Sequence, residues 1–481
     1  MPARFDVEVI VLDRASSTSL HRQLYGQLRG LIEGQTLASG SALPSTRQLA
    51  RALGVGRNAV IAAYDQLALE GYLRMRKSAP PLVVDLPHRL PARARPKLQG
   101  ARLSPRGRTL GAQRYHQGRP GNIALHPGMP DPDNFPFSTW ARLLARRTKA
   151  ARHDLFGAYN VAGHPALREA IARYLTASRG VKCTQEQVFV TNGAQSAFDL
   201  LARLLLDPGD RVWMEEPGYY GAASAFVAAG ARLTPLRIDD SGWRLDPPKP
   251  PPRAIFVTPS CHHPLGVTMP MEQRLNLIRL AEAWNAWIIE DDYDSEYRFQ
   301  GQPIPALQGL DISGLVAYVG TFAKILFPAM RLGFVVLPEH ACKGMVSVLS
   351  TTGHFAPLLT QAALADFINE GYLTLHLRRM RRLYAARRRS FIAAFDHELG
   401  EWLSLQRTAS GIQHLAFFRS GHDDQSVTRA AQAKGINVSP LSLHYRHDRP
   451  NHGLVLGFAA SDERSTLRAM RNLRQILKAL I

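Results

Sequence analysis

Cysteine is scarce in this chain: 481 residues hold three, Cys183, Cys261 and Cys342. They are odd in number, far apart and never spaced as Cys-x-x-Cys. Neither a disulfide framework nor a zinc site is expected, and the pattern suits a reducing compartment. Long apolar runs are also lacking. None approaches the ~20 residues that span a bilayer. The first residues mix Arg4, Asp6 and Glu8 with apolar ones, unlike a secretory leader. A cytoplasmic chain with no membrane partner is expected. Acidic residues are in deficit too, with 39 Asp and Glu against 59 Lys and Arg and a formal net charge of +20. Such an excess points to an anionic partner, nucleic acid before membrane. The rest is ordinary: 45% hydrophobic residues, and enough length for two or more cores.

The segment from Leu20 repeats apolar residues at helical spacing, at Leu20, Leu24, Leu28, Leu31 and Ile32. After a turn at 39–41, Ser45 and Gln48 form a capping box that starts a second helix over Leu49 and Leu53. Gly54 breaks it. A third helix begins near Gly56, buries Val60, Tyr64 and Leu67, and stops at Gly71. A short strand, 72–74, follows. Two short helices joined at a glycine make a helix-turn-helix, whose second helix enters the major groove by its N-terminus. That places Arg57 and Asn58 against base edges, a guanidinium for guanine and an amide for adenine. Arg47 reaches phosphate, and Arg74, Arg76 and Lys77 extend the positive surface along a wing. The plainer alternative is a small helical subdomain with solvated arginines.

From 86 to 120 prolines recur at Pro87, Pro91, Pro96, Pro105 and Pro120 among many arginines, with no Asp or Glu. Such a stretch buries too little to offset its ordering entropy. It reads as an extended tether that also attracts DNA phosphates. The domain plan is therefore a DNA-binding head at 8–80, a basic linker at 81–120 and a large domain at 121–481.

In that large domain, apolar runs at 187–191, 254–258, 287–290 and 316–320 read as buried, mostly parallel strands separated by helices. In such α/β folds ligands sit at the carboxyl ends of strands. Lys324 follows one of these strands and is trailed by Ile325, Leu326 and Phe327. An amine in apolar surroundings has a lowered pKa and can form an imine with an aldehyde. Arg331 can grip phosphate with two hydrogen bonds. Asp291 follows another strand and can keep a pyridinium nitrogen protonated, with Tyr293 offering its hydroxyl to the ring. The acids from Glu290 to Glu296 also read as an acidic loop or, less well, a cation site, and no metal is expected. Gly193, Ala194 and Gln195 open a helix whose N–H groups can hold phosphate. Tyr219 offers a face for stacking. The basic run from His376 to Arg389 reads as a long helix with a solvated face, its inner side formed by Leu375, Met380, Leu383 and Phe391.

Two resemblances gather these features. The stretch LPSTRQLARALGVGRNAVIAAYDQLALEGYL resembles the GntR-type winged helix. The later constellation resembles the fold-type I aminotransferases over roughly the last 350 residues. EEPGYY, EDDYDSEYR and GTFAKILFPAMRLGF are close to forms found in the MocR/GabR regulators, which carry both parts in this order. The resemblance implies a multidomain fold: a small α/β winged helix-turn-helix and a large α/β fold-type I transferase-like domain. It implies pyridoxal 5'-phosphate as cofactor, held as a Schiff base on Lys324. It places Tyr159, in YNVAGHPALREAIARYLTASRGV, against the phosphate of the neighbouring subunit of a homodimer. It also implies a bacterial regulator acting at the nucleoid, whose partners are double-stranded DNA and a small effector: an amine, an amino acid or the cofactor itself. The alternative is a working aminotransferase with an appended DNA-binding domain.

The sequence departs from these patterns in several places. Gly56 and Ala59 stand where the winged helix usually has serine and threonine, and the wing lacks its Gly-x-Gly. Ala323 replaces a serine beside the lysine. His263 stands where an asparagine contacts the ring oxygen. Val455 occupies the place of the arginine that anchors a substrate's α-carboxylate. Efficient transamination of common amino acids is therefore not expected, since a charge-assisted bond worth ~1.5–3 kcal/mol is missing.

Overall fold

The computed structural model describes residues 7–76, 79–85, 103–111, 123–150, 155–157, 160–239, 241–302, 304–448 and 450–481. The chain divides into two compact units, Met1–Arg102 and Leu103–Ile481.

The first unit holds three helices, α1 (Leu20–Glu33), α2 (Thr46–Leu53) and α3 (Arg57–Leu69), and a two-stranded wing, β1 (Leu73–Arg76) and β2 (Ala79–Val83). The capping box forms: the Ser45 hydroxyl accepts the Gln48 N–H, and the Gln48 side chain accepts the Ser45 N–H. Gly54 then turns the chain in the left-handed region at φ 62°, where a glycine carries no Cβ penalty. Leu24, Leu28, Leu49, Val60, Tyr64 and Leu67 form the core, and the Tyr64 hydroxyl donates to the Pro44 carbonyl at 2.9 Å. The wing strands pair antiparallel with Leu73 opposite Val83, and both side chains are buried in this core. The head's sheet therefore runs to Val83, beyond the boundary at residue 80. Most of the stretch read as a tether lies outside the described residues. Within it, Pro105–Gly111 forms a helix, α4, whose first turn is closed by the Ser104 hydroxyl accepting the Gly107 N–H at 2.9 Å.

The second unit is built on an eight-stranded sheet of β3 (Val188–Thr191), β4 (Arg211–Glu216), β5 (Arg232–Asp239), β6 (Gly242–Trp243), β7 (Ala254–Val257), β8 (Trp287–Asp292), β9 (Val316–Thr321) and β10 (Gly333–Val336). Their order is β3-β10-β9-β8-β7-β4-β5-β6. Strands β5, β4, β7, β8 and β9 run parallel, while β10 and β6 are antiparallel to their neighbours. The inner strands are buried on both faces, as their continuous apolar runs require. A four-stranded antiparallel sheet follows, in the order β11-β12-β14-β13, from β11 (Leu403–Gln406), β12 (Gln413–Phe418), β13 (Ser439–Pro440) and β14 (Gly453–Gly457).

Two expectations are corrected here. Strand β8 continues to Asp292, so Asp291 lies within it rather than after it. The extension is tolerable because Asp292 has partners inside: Arg179 Nε at 2.7 Å and the Tyr318 hydroxyl at 2.8 Å. The basic run does form one long helix, Tyr372–Glu398, but Leu375 faces solvent. His376 and Leu377 take the inner side with Met380 and Phe391. Several of its arginines are tied to the body: Arg387 to Asp131, Arg388 to the Thr408 carbonyl and Arg381 to the Glu296 carbonyl.

Candidate functional site

The carboxyl ends of the large sheet open into a cavity of about 570 Å³. Gly193, Ala194, Gln195, Tyr219, His263, Asp291, Tyr293, Lys324 and Arg331 all line it. The structure thus brings together nine of the ten candidate residues of the large domain. Tyr159 lies outside the described residues, as does Lys77 in the wing.

Lys324 follows β9, and its Nζ donates to the Gly128 carbonyl at 2.7 Å. A Cβ at residue 128 would lie 2.6 Å from that nitrogen, and φ there is +60°, so glycine is needed on both counts. Burial lowers the Lys324 pKa, opposed by Asp294 and Asp291. That is the balance a reactive amine needs. Asp291 is 4% exposed, and its Oδ1 has no hydrogen-bond partner among the described residues. Burial first, then Asp292 and Glu215, push its carboxyl well above the ordinary range. A cationic N–H presented from the cavity would supply both the missing bond and the missing charge.

The neighbouring acids have separate structural roles. Glu290 accepts the Leu307 and Gln308 N–H groups, and Asp294 accepts the Ile412 N–H at 2.8 Å. Asp292 is paired with Arg179. Glu215, at the end of β4, accepts from Trp243 Nε1, from the Thr258 N–H and from the Thr258 hydroxyl. Burial still raises it to about 7. Each acid is thus satisfied within the protein except the one that faces the cavity with an unpartnered oxygen.

The helix Ala194–Leu205 starts at Ala194, two residues earlier than the sequence suggested, with Gly193 at φ 82° as its uncapped N-cap. Its free N–H groups, the unpartnered Ser196 hydroxyl, Thr321 and the Arg331 side chain suit a phosphate. Arg331 has φ 51°, uncommon for a non-glycine residue. The Gln195 side chain turns aside and donates to the Gly221 carbonyl at 2.8 Å. The Tyr293 hydroxyl meets Cys261 Sγ at 3.8 Å. Tyr219 packs edge-on to His263, with centroids 5.4 Å apart. His263 lines the cavity with its Nδ1 3.3 Å from Gln413 Nε2. The paired His262 does not reach the cavity; it is fully buried against Trp243, where burial lowers it to about 3. Taken together, the donor set fits pyridoxal phosphate: an amine, a carboxylate lacking a donor, a stacking ring and a phosphate cradle.

Sequence reasoning missed Gly128, Gln413, Asn437, Ser439 and His444, which also line the cavity. Only Gly128 left a signal, in the proline-rich His126-Pro127-Gly128-Met129-Pro130, a pattern that marks irregular chain. In the head, Arg47, Arg57, Asn58, Arg74 and Arg76 are exposed. Arg57 Nε lies 3.4 Å from the Thr46 hydroxyl, and Arg76 donates twice to the Pro80 carbonyl, at 3.0 and 2.8 Å, which lays it along the wing. A second acidic group, Asp423, Asp424 and His452, has the spacing of cation ligands. Asp424 is occupied there by Ser442 and the Gly453 N–H, and Asp423 caps a helix. Among the described residues no helix is long and apolar enough to cross a membrane.

Fold and cavity define a winged-helix head joined to an aminotransferase-like body of fold type I. Comparison with known proteins agrees. The aminotransferase class I and II family matches residues 128–454, and the bacterial regulatory proteins of the gntR family match 20–82. A probable rhizopine catabolism regulatory protein, MocR of Rhizobium meliloti, is 50% identical over 98% of this chain and 96% of its own. The pyridoxine biosynthesis regulator PdxR of Corynebacterium glutamicum is 32% identical over 95% and 96%. Among solved structures, the kynurenine aminotransferase of Pyrococcus horikoshii has a TM-score of 0.68 at 25% identity, over 79% of this chain and 95% of its own. The α-aminoadipate aminotransferase LysN of Thermus thermophilus, complexed with N-(5'-phosphopyridoxyl)-L-leucine, has 0.68 at 25%, over 74% and 92%. The chain belongs to the MocR/GabR family of GntR-type regulators with aminotransferase-like domains.

Proposed function

We propose that this protein is a cytoplasmic, homodimeric transcriptional regulator. Its head binds double-stranded DNA, and its body holds pyridoxal phosphate to sense a small amine, an amino acid or the cofactor itself. The observation that carries this reading is the buried Asp291 Oδ1, without a partner, in the same cavity as Lys324.

Bound there, the cofactor supplies an aldehyde that captures primary amines and an electron-withdrawing ring. Lys324 is the attachment point. Asp291 holds the ring nitrogen's proton, Tyr219 stacks on the ring, and the helix N-terminus at Gly193–Gln195 holds the phosphate with Arg331. Tyr159 reaches the phosphate of the neighbouring subunit. Val455 leaves an amino acid without its carboxylate anchor, which favours sensing over turnover. The effector moves the DNA-binding equilibrium only by its difference in affinity for two states of the body. In the head, Arg57 and Asn58 read bases, while Arg47, Arg74, Arg76 and Lys77 contact phosphate. The retained Lys324–Asp291 pair also favours the second reading, a weakly active aminotransferase, which sustained turnover of an amino donor and a keto-acid acceptor would establish.

Absorbance spectra of the full chain with pyridoxal phosphate, wild type against Lys324→Ala, test the cofactor assignment. A visible band in the wild type that is missing in the variant is expected. Identical spectra would remove Lys324 from its role and the cofactor from the account.

A further inference from the structure

We infer that the small molecule read by this cavity is a primary amine bearing neutral hydroxyl groups and no carboxylate. The inference rests on the cofactor reading above, which supplies the demand for an amine, and narrows the ligand's chemical class.

Among the described lining residues, the permanently cationic side chains are Lys324 and Arg331, and both belong to the cofactor's part of the cavity. The part formed by the small sheet is different. Strands β12, β13 and β14 bring Gln413, Ser439 and Val455 to the cavity wall, with Asn437 just before β13. Val455 sits between Leu415 and Ser439 in register and is 1% exposed. It packs in an apolar cluster with Leu265, Leu415 and Leu441.

A carboxylate delivered to this wall would shed its water and find no cation in exchange. A hydroxyl both donates and accepts, and the same is true of the amides of Gln413 and Asn437 and of the Ser439 hydroxyl. His263 adds to this wall without adding charge. Burial, with His444, Lys324 and His262 nearby, holds its imidazole well below the usual pKa, so it stays neutral. Its contact with Gln413 Nε2 at 3.3 Å ties it to β12.

Serine and serinol test the inference, because they differ only in a carboxylate against a hydroxymethyl group. Each is titrated into the full-length protein loaded with pyridoxal phosphate, and binding is read from the cofactor's absorbance. Half-saturation by serinol is expected at a concentration about tenfold or more below that of serine. Val455→Arg should invert the order. Ser439→Ala, which does not require a bulky cation to be fitted into a packed wall, should weaken serinol severalfold and leave serine unchanged. If serine binds as well as serinol, or if neither perturbs the loaded protein, the ligand class is overturned and the cofactor reading stands. If the protein takes up no cofactor, the underlying reading fails and the inference with it.

Discussion

The two sides of the cavity are built to different rules. On the cofactor side, charge and hydrogen-bonding capacity are concentrated and left open: Lys324, Arg331, the unpartnered Asp291 oxygen and an uncapped helix N-terminus. On the small-sheet side the wall is neutral, with Val455 packed among leucines and flanked by amides and a hydroxyl. Open charge inside a protein costs stability unless something arrives to satisfy it. Its confinement to one side says that the cofactor is the constant occupant. The ligand beyond it has been freed from the carboxylate that an aminotransferase grips. The capture chemistry is retained while the substrate requirement is gone, which is what a sensor needs.

The largest effect expected is on the framework behind the charged side. Arg179 is 7% exposed, pairs with Asp292 and donates to Ser260 and the Ile304 carbonyl. Arg179→Ala leaves a buried carboxylate uncompensated and should cost about 3–5 kcal/mol in urea unfolding. Cofactor affinity should fall as well, because an unneutralised Asp292 further raises Asp291. Next is Asp291→Asn, which removes the charge offered to the ring nitrogen. Cofactor binding should weaken by about 1.5–3 kcal/mol, read by titration of the cofactor-free protein. An unchanged affinity would break the comparison at its centre. In the head, Arg57→Ala should cost about 1–3 kcal/mol on a preferred site while the cofactor spectrum stays as in the wild type. Arg47→Ala should instead weaken all sequences alike and lower the salt slope by about one. The smallest effect is a gain. Ala323→Ser restores a hydroxyl beside the phosphate cradle and should tighten cofactor binding by about 1 kcal/mol in the same titration.

Local rules carried the reading of the head. The capping box, the glycine turn at Gly54 and the stop before Gly71 are each fixed by neighbours in sequence, and each forms as expected. In the body, the strands that carry Asp291 and Lys324 were legible from apolar runs with polar ends. Their lengths were not, because the ion pair that lets Asp292 stay inside β8 comes from Arg179, 113 residues away. Leu375 was misplaced for a related reason: its helix buries whichever stripe the rest of the body covers, and here the inner stripe carries His376, which meets the Ile325 carbonyl at 3.0 Å. The neutral wall was the least legible part. Gln413, Asn437 and Ser439 are unremarkable in sequence and gain meaning only when the small sheet sets Ser439 opposite Val455.

Coupling between the two units is the central claim, and DNA affinity tests it most directly. Binding of the full-length wild type and of Lys324→Ala to one duplex is measured at fixed salt, with and without pyridoxal phosphate. The account predicts that cofactor changes the wild-type affinity by about fivefold or more and leaves the variant unaffected. Equal affinities in all four measurements would contradict it.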